Sequence, residues 1–178
     1  MQRIAIDMDE VIADFLTKYV ASYNEEFQAT ITKEQLMGLH LSEIVAEAHR
    51  SRLQEFMRDE TFFSDLAVMP GSQEVIRKLM DRYEVFITTA AMEVPASFGA
   101  KYEWLGKHFP FIPHTHIVFC GDKSILNADF LIDDNARHFK HFRGEGILFT
   151  APHNVHITGY RRVKNWEEVR QMFLAPGV

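Results

Sequence analysis

The sequence predicts an α/β fold, in which a doubly wound parallel sheet carries a small helical cap inserted after its first strand. From the 70s onward, short apolar segments typical of buried strands alternate with segments of helical periodicity. Before the 80s, only the first apolar segment resembles a strand, and the spacing that follows it is helical. Acidic, hydroxyl and lysine side chains follow the strands, at the edge of a parallel sheet where ligands bind.

Composition and charge restrict the class of protein. The chain has 178 residues, enough for one domain with an insertion, and 47% of them are hydrophobic. Its formal net charge is −6 without a basic stripe, so a nucleic-acid polymer is not an expected partner. The single cysteine, Cys120, allows no internal disulfide. No signal peptide or membrane span is recognisable, so we expect a cytoplasmic protein without a membrane partner; a homodimer remains open.

Five short apolar segments are predicted to form a Rossmann-like sheet. They cover residues 4–7, 84–89, 116–120, 129–133 and 146–149. We expect the spatial order 3-2-1-4-5, with the strands numbered along the chain. The predicted helices of this part cover residues 72–82, 95–109, 135–141 and 166–173. Pro70-Gly71 marks the turn before the first of these helices.

The stretch between the first strand and Pro70 is predicted to be the cap. Its three segments of helical character cover residues 11–27, 32–37 and 42–57. Thr32 and Gln35 form a capping-box pattern at the start of the second segment. The predicted domain boundaries are residues 14–69 for the cap, and residues 1–13 with residues 70–178 for the α/β core.

Side chains suited to phosphate or metal chemistry follow four successive strands. They are Asp7 and Asp9 after strand one, Thr89 and Ala90 after strand two, Lys123 after strand three, and Asp133 and Asp134 after strand four. Each feature alone is common, because an Asp pair often caps a helix and threonine favours strands. Since the carboxyl ends of parallel strands meet at one edge, their joint appearance predicts a single site.

The electrostatics of this set predict a divalent cation. Four carboxylates would converge with only Lys123 to offset them, and two like charges about 4 Å apart repel by roughly 4 kcal/mol at an effective dielectric constant of about 20. Oxygen ligands suit a hard ion, and Mg²⁺ fits best. A phosphoryl group would then lie against Lys123 and Thr89. Asp7 would be placed to attack it, and Asp9 to protonate the leaving oxygen.

At these residues the sequence resembles the haloacid dehalogenase superfamily, and within it the 5′(3′)-deoxyribonucleotidases. The superfamily's four motifs are matched, in order, by Asp7-Met-Asp9, Thr89, Lys123 and Asp133-Asp134. Further similar stretches span nearly the whole chain, at residues 7–15, 69–71, 101–105, 121–124, 128–134 and 148–154. The resemblance implies a phosphatase with a small helical cap after the first strand.

The resemblance also implies a role for individual residues. Asp7 is the nucleophile, and Asp9 is the acid/base that also lends its backbone carbonyl to Mg²⁺. The implied metal ligands are Asp7, Asp9 and Asp134, with Asp133 as second choice. The implied phosphate binders are Thr89, Ala90 and Lys123.

The resemblance is weaker in the cap, where nucleotidases of this branch stack the base on several aromatic side chains. Phe15 is similar to one of these, but the positions that align with the others carry Leu39, His40 and Met57. A base stacked on an aromatic ring gains roughly 1–3 kcal/mol, so weaker base selection is expected. The sequence thus predicts a Mg²⁺-dependent 5′(3′)-deoxyribonucleotidase that acts through an aspartyl-phosphate.

Two alternatives remain open. One is a phosphatase of the same superfamily for another small phosphate ester. The other is a non-enzymatic, receiver-like phospho-switch, which also places acids, threonine and lysine at strand ends. Receivers carry the acidic pair first, then a lone Asp, then Thr, then Lys. Here the threonine precedes the lysine and a second acidic pair comes last, an order that favours the enzyme.

Overall fold

A parallel sheet forms the centre of the molecule in the computed structural model, which describes residues 1–175. The strands are β1 (Arg3–Asp7), β2 (Ala13–Asp14), β3 (Ala67–Val68), β4 (Glu84–Thr89), β5 (Ile117–Phe119), β6 (Phe130–Asp133), β7 (Glu145–Phe149) and β8 (Arg161–Val163). The helices are α1 (Phe15–Phe27), α2 (Leu41–Ile44), α3 (Arg50–Arg58), α4 (Ser72–Leu79), α5 (Phe98–His108) and α6 (Trp166–Leu174). Within residues 1–175, no helix is both long and apolar enough to cross a membrane.

The main sheet has the strand order β5-β4-β1-β6-β7-β8, and all its pairings are parallel. The predicted order of five strands is confirmed, but the predicted number is wrong, because β8 adds a sixth strand beyond β7. Sequence analysis missed β8 because it contains no apolar run. At the edge of the sheet only Val163 is fully buried, while Arg161 remains exposed.

Both faces of the sheet are covered, but by different kinds of structure. The larger core lies on the face of Ile4 and Ile6, and includes residues of α4, α5 and α6. The smaller core lies on the face of Ala5. There the predicted helix over residues 135–141 is a 3₁₀ helix, Ala136–Phe139. Its three-residue period places Ala136 and Phe139 on the same face, and both belong to the smaller core, which Phe142 joins from beyond the helix.

The chain leaves β1 through a tight turn. The backbone carbonyl of Met8 accepts hydrogen bonds from the N–H groups of residues 11–13 at 2.9–3.4 Å, and Glu10 has a left-handed φ of 59°. The first predicted helix therefore begins four residues late, at Phe15, where the Asp14 side chain caps it. The apolar residues before it belong to the core and not to the helix.

Strands β2 and β3 pair antiparallel, so the chain enters and leaves the inserted segment side by side. Two residues each are too few for a recognisable strand pattern, and the sequence did not predict them. The segment has a small core of its own, formed by Val20, Tyr23, Leu36, Leu41, Val45 and Leu53. The predicted helix over residues 42–57 is interrupted at Val45 and Ala46, which are extended, and Val45 is buried in that core. The predicted helix over residues 32–37 is a 3₁₀ helix, Lys33–Leu36.

Candidate active site

The carboxyl end of the central strand carries the first two acidic residues of the predicted site. Asp7 is the last residue of β1 and pairs in register with Thr88 of β4. On the other side of β1, β6 ends at Asp133. Asp7 is buried and Asp9 is half-buried, so the turn after β1 brings both carboxylates to the edge that the sequence predicted.

Lys123 lies between two of the carboxylates. Its Nζ donates a hydrogen bond to Asp7 Oδ1 and another, of 2.6 Å, to Asp133 Oδ2. The lysine is the first residue of a 3₁₀ turn after β5, whose preceding residue Asp122 accepts a hydrogen bond from the backbone N–H of Ser124. Burial lowers the pKa of Lys123, but the two carboxylates outweigh it and raise the pKa above its usual value.

Three aspartates form a cluster beside this lysine. One carboxylate oxygen from each of Asp7, Asp133 and Asp134 lies within 4.8 Å of the other two. Burial raises the pKa of Asp7 to about 7, against the opposing charge of Lys123. Burial, followed by the charges of Asp133 and Asp7, raises the pKa of Asp134 well above its usual value. Asp7 and Asp133 are buried and Asp134 is half-buried, and three carboxylates beside one lysine leave surplus negative charge. This all-oxygen set fits a hard divalent ion.

The carboxylates of Asp133 and Asp134 differ in how far they are engaged by hydrogen bonds. The Asp133 carboxylate is engaged by Lys123 and accepts a 2.8 Å hydrogen bond from the N–H of Asn135. The Asp134 backbone carbonyl accepts a 2.7 Å hydrogen bond from the Asn154 amide, which fixes the backbone. Among residues 1–175, the one ion-pair contact of its carboxylate is to His153 Nε2, at 3.5 Å. Of the two, the Asp134 carboxylate is the one available to an ion.

The strand-end pair Thr89 and Ala90 lies on the other side of Asp7. Thr89 is the last residue of β4 and is fully buried. Its hydroxyl Oγ1 lies 3.3 Å from Nζ of Lys101. Ala90 follows at the wall of a cavity of about 190 Å³ that also exposes Asp7. The predicted phosphate-binding residues are therefore adjacent to the acidic cluster.

A second cavity, of about 420 Å³, adjoins the acidic cluster and extends towards the inserted segment. All four residues predicted to form the substrate pocket line it: Phe15, Leu39, His40 and Met57. Asp9 and Asp134 line it as well. Phe15 and Met57 also line the smaller cavity, so the two spaces meet at these side chains.

Sequence analysis missed several residues at the site. The clearest is Lys101, whose Nζ lies 2.5 Å from Asp9 Oδ2. A signal was present, because Lys101 is spaced three and four residues from Trp104 and Leu105 on the apolar face of a predicted helix. Glu93 and Arg137, which line the smaller cavity and form a 2.5 Å ion pair, gave no such signal, since both are exposed.

Known proteins resemble the chain over nearly its whole length. The family model described as "5' nucleotidase, deoxy (Pyrimidine), cytosolic type C protein" matches residues 1–176. A Staphylococcus aureus protein, provisionally named 5′(3′)-deoxyribonucleotidase, is 47% identical over 171 residues, 96% of this chain and 94% of that protein. The 5′(3′)-deoxyribonucleotidase of Bacillus subtilis is 39% identical over 171 residues, 96% of this chain and 98% of that protein.

Solved structures agree on the fold. A Bacillus subtilis protein, provisionally described as a haloacid dehalogenase-type hydrolase and solved bound to magnesium, has a TM-score of 0.62 at 13% identity, covering 97% of this chain and 98% of that one. This likeness confirms the predicted fold class, a mostly parallel sheet with helices. The family match extends over both the sheet and the inserted segment. The chain therefore belongs to the family of deoxy (pyrimidine), cytosolic type C 5′ nucleotidases, and with it to the phosphoric monoester hydrolases.

Proposed function

We propose that the chain hydrolyses 5′- and 3′-deoxynucleoside monophosphates to a deoxynucleoside and inorganic phosphate through a phosphorylated Asp7. The observation that carries the proposal is the buried Asp7–Lys123 ion pair at the end of β1, within a cluster of three aspartates. The names of the relatives in Bacillus subtilis and Staphylococcus aureus support the same substrate class. A cytoplasmic location is part of the proposal and agrees with the family's cytosolic description.

Asp7 and Asp9 each act in both of the two half-reactions. In the first, a carboxylate oxygen of Asp7 bonds to phosphorus, the bond from phosphorus to the sugar oxygen breaks, and Asp9 gives its proton to that oxygen. In the second, water attacks phosphorus, Asp9 takes a proton from the water, and the bond to Asp7 breaks to release phosphate. The two residues are close enough in the turn after β1 to serve one phosphoryl group.

Mg²⁺ is the proposed metal, with Asp7, the backbone carbonyl of Asp9 and Asp134 as ligands, and Asp133 as the second choice. The free carboxylate of Asp134 supports this order, because Lys123 and the N–H of Asn135 already engage Asp133. When bound, the ion supplies positive charge that offsets the aspartates and attracts the phosphate oxygens. Oxygen ligands alone favour Mg²⁺ over softer metals.

Thr89, Ala90 and Lys123 are the proposed phosphate binders. Lys123 contributes a fixed cation that is already oriented by Asp133. Thr89 is the last residue of the neighbouring strand, and Ala90 after it lines the 190 Å³ cavity beside Asp7, so the Thr89 hydroxyl and the backbone N–H of Ala90 are the proposed donors. Such preorganised donors stabilise charge that develops on the transferring phosphoryl group.

The inserted segment is proposed to select the substrate. We assign residues 14–69 to the cap, and residues 1–13 with 70–178 to the α/β core. The 420 Å³ cavity would hold the nucleoside, with Phe15 as stacking ring and Leu39, His40 and Met57 around it. Three non-stacking or weakly stacking side chains favour a second candidate as well, a phosphatase for another small phosphate ester.

Phosphate release from p-nitrophenyl phosphate, with and without Mg²⁺, tests the chemistry. We expect turnover that depends on Mg²⁺ and is abolished in Asp7→Asn, while thermal unfolding remains cooperative. Wild-type kcat in Asp7→Asn would contradict the nucleophile. A panel of 5′- and 3′-deoxynucleotides, ribonucleotides and sugar phosphates tests the substrate class. A flat profile would remove the nucleotidase specificity and leave the phosphatase chemistry.

A further inference from the structure

The mechanism above leaves one buried cation without a role. Lys101 lies on α5 and is 3% exposed, on the same helix face as Trp104 and Leu105. The indole N–H of Trp104 donates a 2.8 Å hydrogen bond to the carbonyl of Leu66, which anchors this part of the helix. Burying a lysine costs free energy unless it is paired, so its position needs a reason other than packing.

The lysine reaches Asp9 and is held there from three sides. Its Nζ lies 2.5 Å from Asp9 Oδ2, 3.3 Å from Thr89 Oγ1 and 4.6 Å from the centre of the Phe63 ring. The ring provides a cation–π contact, and the hydroxyl provides a second polar partner. Because each neighbour belongs to a different segment of the chain, the ammonium group has little freedom to move away from Asp9.

The two carboxylate oxygens of Asp9 differ in their hydrogen bonding. Oδ2 accepts the hydrogen bond from Lys101. Oδ1 is buried and, among the residues that the structure describes, has no hydrogen-bond partner. A buried oxygen without a partner is uncommon, and its hydrogen-bonding capacity is unused. Asp9 lines the 190 Å³ cavity, so its carboxyl group, held through Oδ2, adjoins the space that a ligand would occupy.

We propose that Lys101 is a positioning residue that holds Asp9 through Oδ2 and so orients its carboxyl group for proton transfer. As the proton passes from Asp9 to the leaving oxygen, negative charge develops on the Asp9 carboxyl, and the Lys101 cation stabilises it through Oδ2. This inference rests on the proposed function, in which Asp9 is the acid/base. Lys101 acts through Asp9 and does not bind the phosphate.

A comparison of leaving groups tests the inference. p-Nitrophenolate leaves readily without a proton, whereas phenolate needs one, and kcat/KM reports the step in which they leave. In Lys101→Met we expect kcat/KM to fall by about 100-fold for phenyl phosphate, but only by about threefold for p-nitrophenyl phosphate. Lys101→Arg keeps the charge and is expected to recover part of the loss. An equal fall for both esters would overturn the proposal.

Two further measurements separate positioning from phosphate binding. Inorganic phosphate, used as a competitive inhibitor, should bind Lys101→Met as well as wild type, and weaker inhibition would assign the lysine to the phosphate instead. In a double-mutant cycle, Lys101→Met should have no further effect on phenyl phosphate once Asp9→Asn is present. Additive losses would overturn the proposal.

The controls distinguish the inference from the proposed function. Lys107→Met changes an exposed lysine of the same helix and should leave both kcat/KM values unchanged. Thermal unfolding of each variant reports whether the fold is retained, and Lys101→Arg provides a variant that keeps the ion pair. If Asp9→Asn itself shows no dependence on the leaving group, the proposed acid/base is wrong. If Asp9→Asn depends on the leaving group but Lys101→Met does not, the positioning role alone is wrong.

Discussion

Asp7 and Lys123 are 116 positions apart in the chain and form a buried ion pair. The side chain of Lys123 has no exposed surface, and that of Asp7 is 10% exposed. A buried charge that loses its partner is destabilising, so each of these groups depends on the other. Because Lys123 also bonds Asp133, one cation joins the ends of β1 and β6 and connects stability with the proposed chemistry.

Removing that cation is expected to destabilise the fold as well as the site. Lys123→Met leaves Asp7 and Asp133 without a counter-charge, and we expect the free energy of unfolding to fall by about 3 kcal/mol. Urea denaturation in the presence of a chelator measures the change. Lys140→Met, which alters an exposed lysine, should fall within about 0.5 kcal/mol of wild type. An unaltered stability in Lys123→Met would show that the pair is not a structural element.

Asp134 is expected to oppose folding without metal and to support it with metal. Asp134→Asn removes a carboxyl group whose ionisation is opposed in the folded state by burial and by the charges of Asp133 and Asp7, so the metal-free variant should unfold at a higher temperature than metal-free wild type. Adding Mg²⁺ should raise the melting temperature of wild type and not of the variant. Glu103→Gln, on an exposed position, is the control for a lost carboxylate. An equal Mg²⁺ response in Asp134→Asn would exclude Asp134 as a ligand.

Glu10 predicts how stability depends on pH in metal-free protein. Burial raises the pKa of Glu10 to about 7, against the hydrogen bond from the N–H of Leu16. Glu10 therefore binds a proton more tightly in the folded state than in the unfolded state, and its contribution to stability is greatest below its unfolded pKa. That contribution to the free energy of unfolding should fall, by an amount on the order of 3 kcal/mol, as pH rises through the range up to about 7.

Glu10→Gln should flatten this pH profile while keeping the acceptor for the N–H of Leu16. The raised pKa of Asp7 acts in the same direction, so part of the slope remains. Guanidinium denaturation at a series of pH values measures how steeply the free energy of unfolding depends on pH. Glu25→Gln, at an exposed position, is the control. A slope as steep in Glu10→Gln as in wild type would mean that Glu10 does not titrate in this range.

Gly38 joins the inserted segment to the loop after β7. Its N–H donates a 2.8 Å hydrogen bond to the carbonyl of Pro152, its φ is +81°, and an added Cβ would lie 2.3 Å from the His156 ring. Gly38→Ala is expected to reduce the free energy of unfolding by about 2 kcal/mol. Gly159→Ala, with a φ of +90° and open space around it, isolates the backbone contribution and should cost about 1 kcal/mol. Equal losses would show that the His156 ring moves aside freely.

Leu39 offers a direct test of base recognition. It lines the 420 Å³ cavity and is 38% exposed, so a larger ring can be accommodated there. Leu39→Trp is expected to lower KM for deoxynucleoside monophosphates by roughly fivefold or more, the equivalent of about 1 kcal/mol of stacking. KM for p-nitrophenyl phosphate should not change. Met37→Trp, two residues away and exposed, is the control, and an equal effect of both substitutions would argue against a base subsite at Leu39.

The polar residues that follow the predicted strands were sufficient to predict that Asp7, Asp133 and Asp134 lie close together. Asp7 ends a strand that is apolar throughout, and parallel pairing then places it beside the residues that end β4 and β6. This inference needs only the direction of the strands and their order. The roles of the clustered residues remain predictions.

Lys101 was not predicted, because its burial depends on Asp9, which is 92 positions away in the chain. Periodicity shows that a residue lies on a helix face, but it does not show which group that face meets. The short strands were not predicted for a related reason. β8 forms by pairing with the edge of the main sheet, and β2 and β3 form by pairing with each other. Their own residues contain too little pattern to predict a strand.

The pairing of Ala13 with Val68 in β2 and β3 places the two ends of the inserted segment next to each other. An insertion with adjacent ends can be exchanged for another without altering the order or spacing of the six strands. Recognition could therefore diverge through replacement of a single contiguous stretch of coding sequence, while the residues that follow β1, β4, β5 and β6 stay as they are. Under the proposal that the inserted segment selects the substrate, a chimaera that joins this sheet to a relative's insertion is expected to take on the relative's substrate preference.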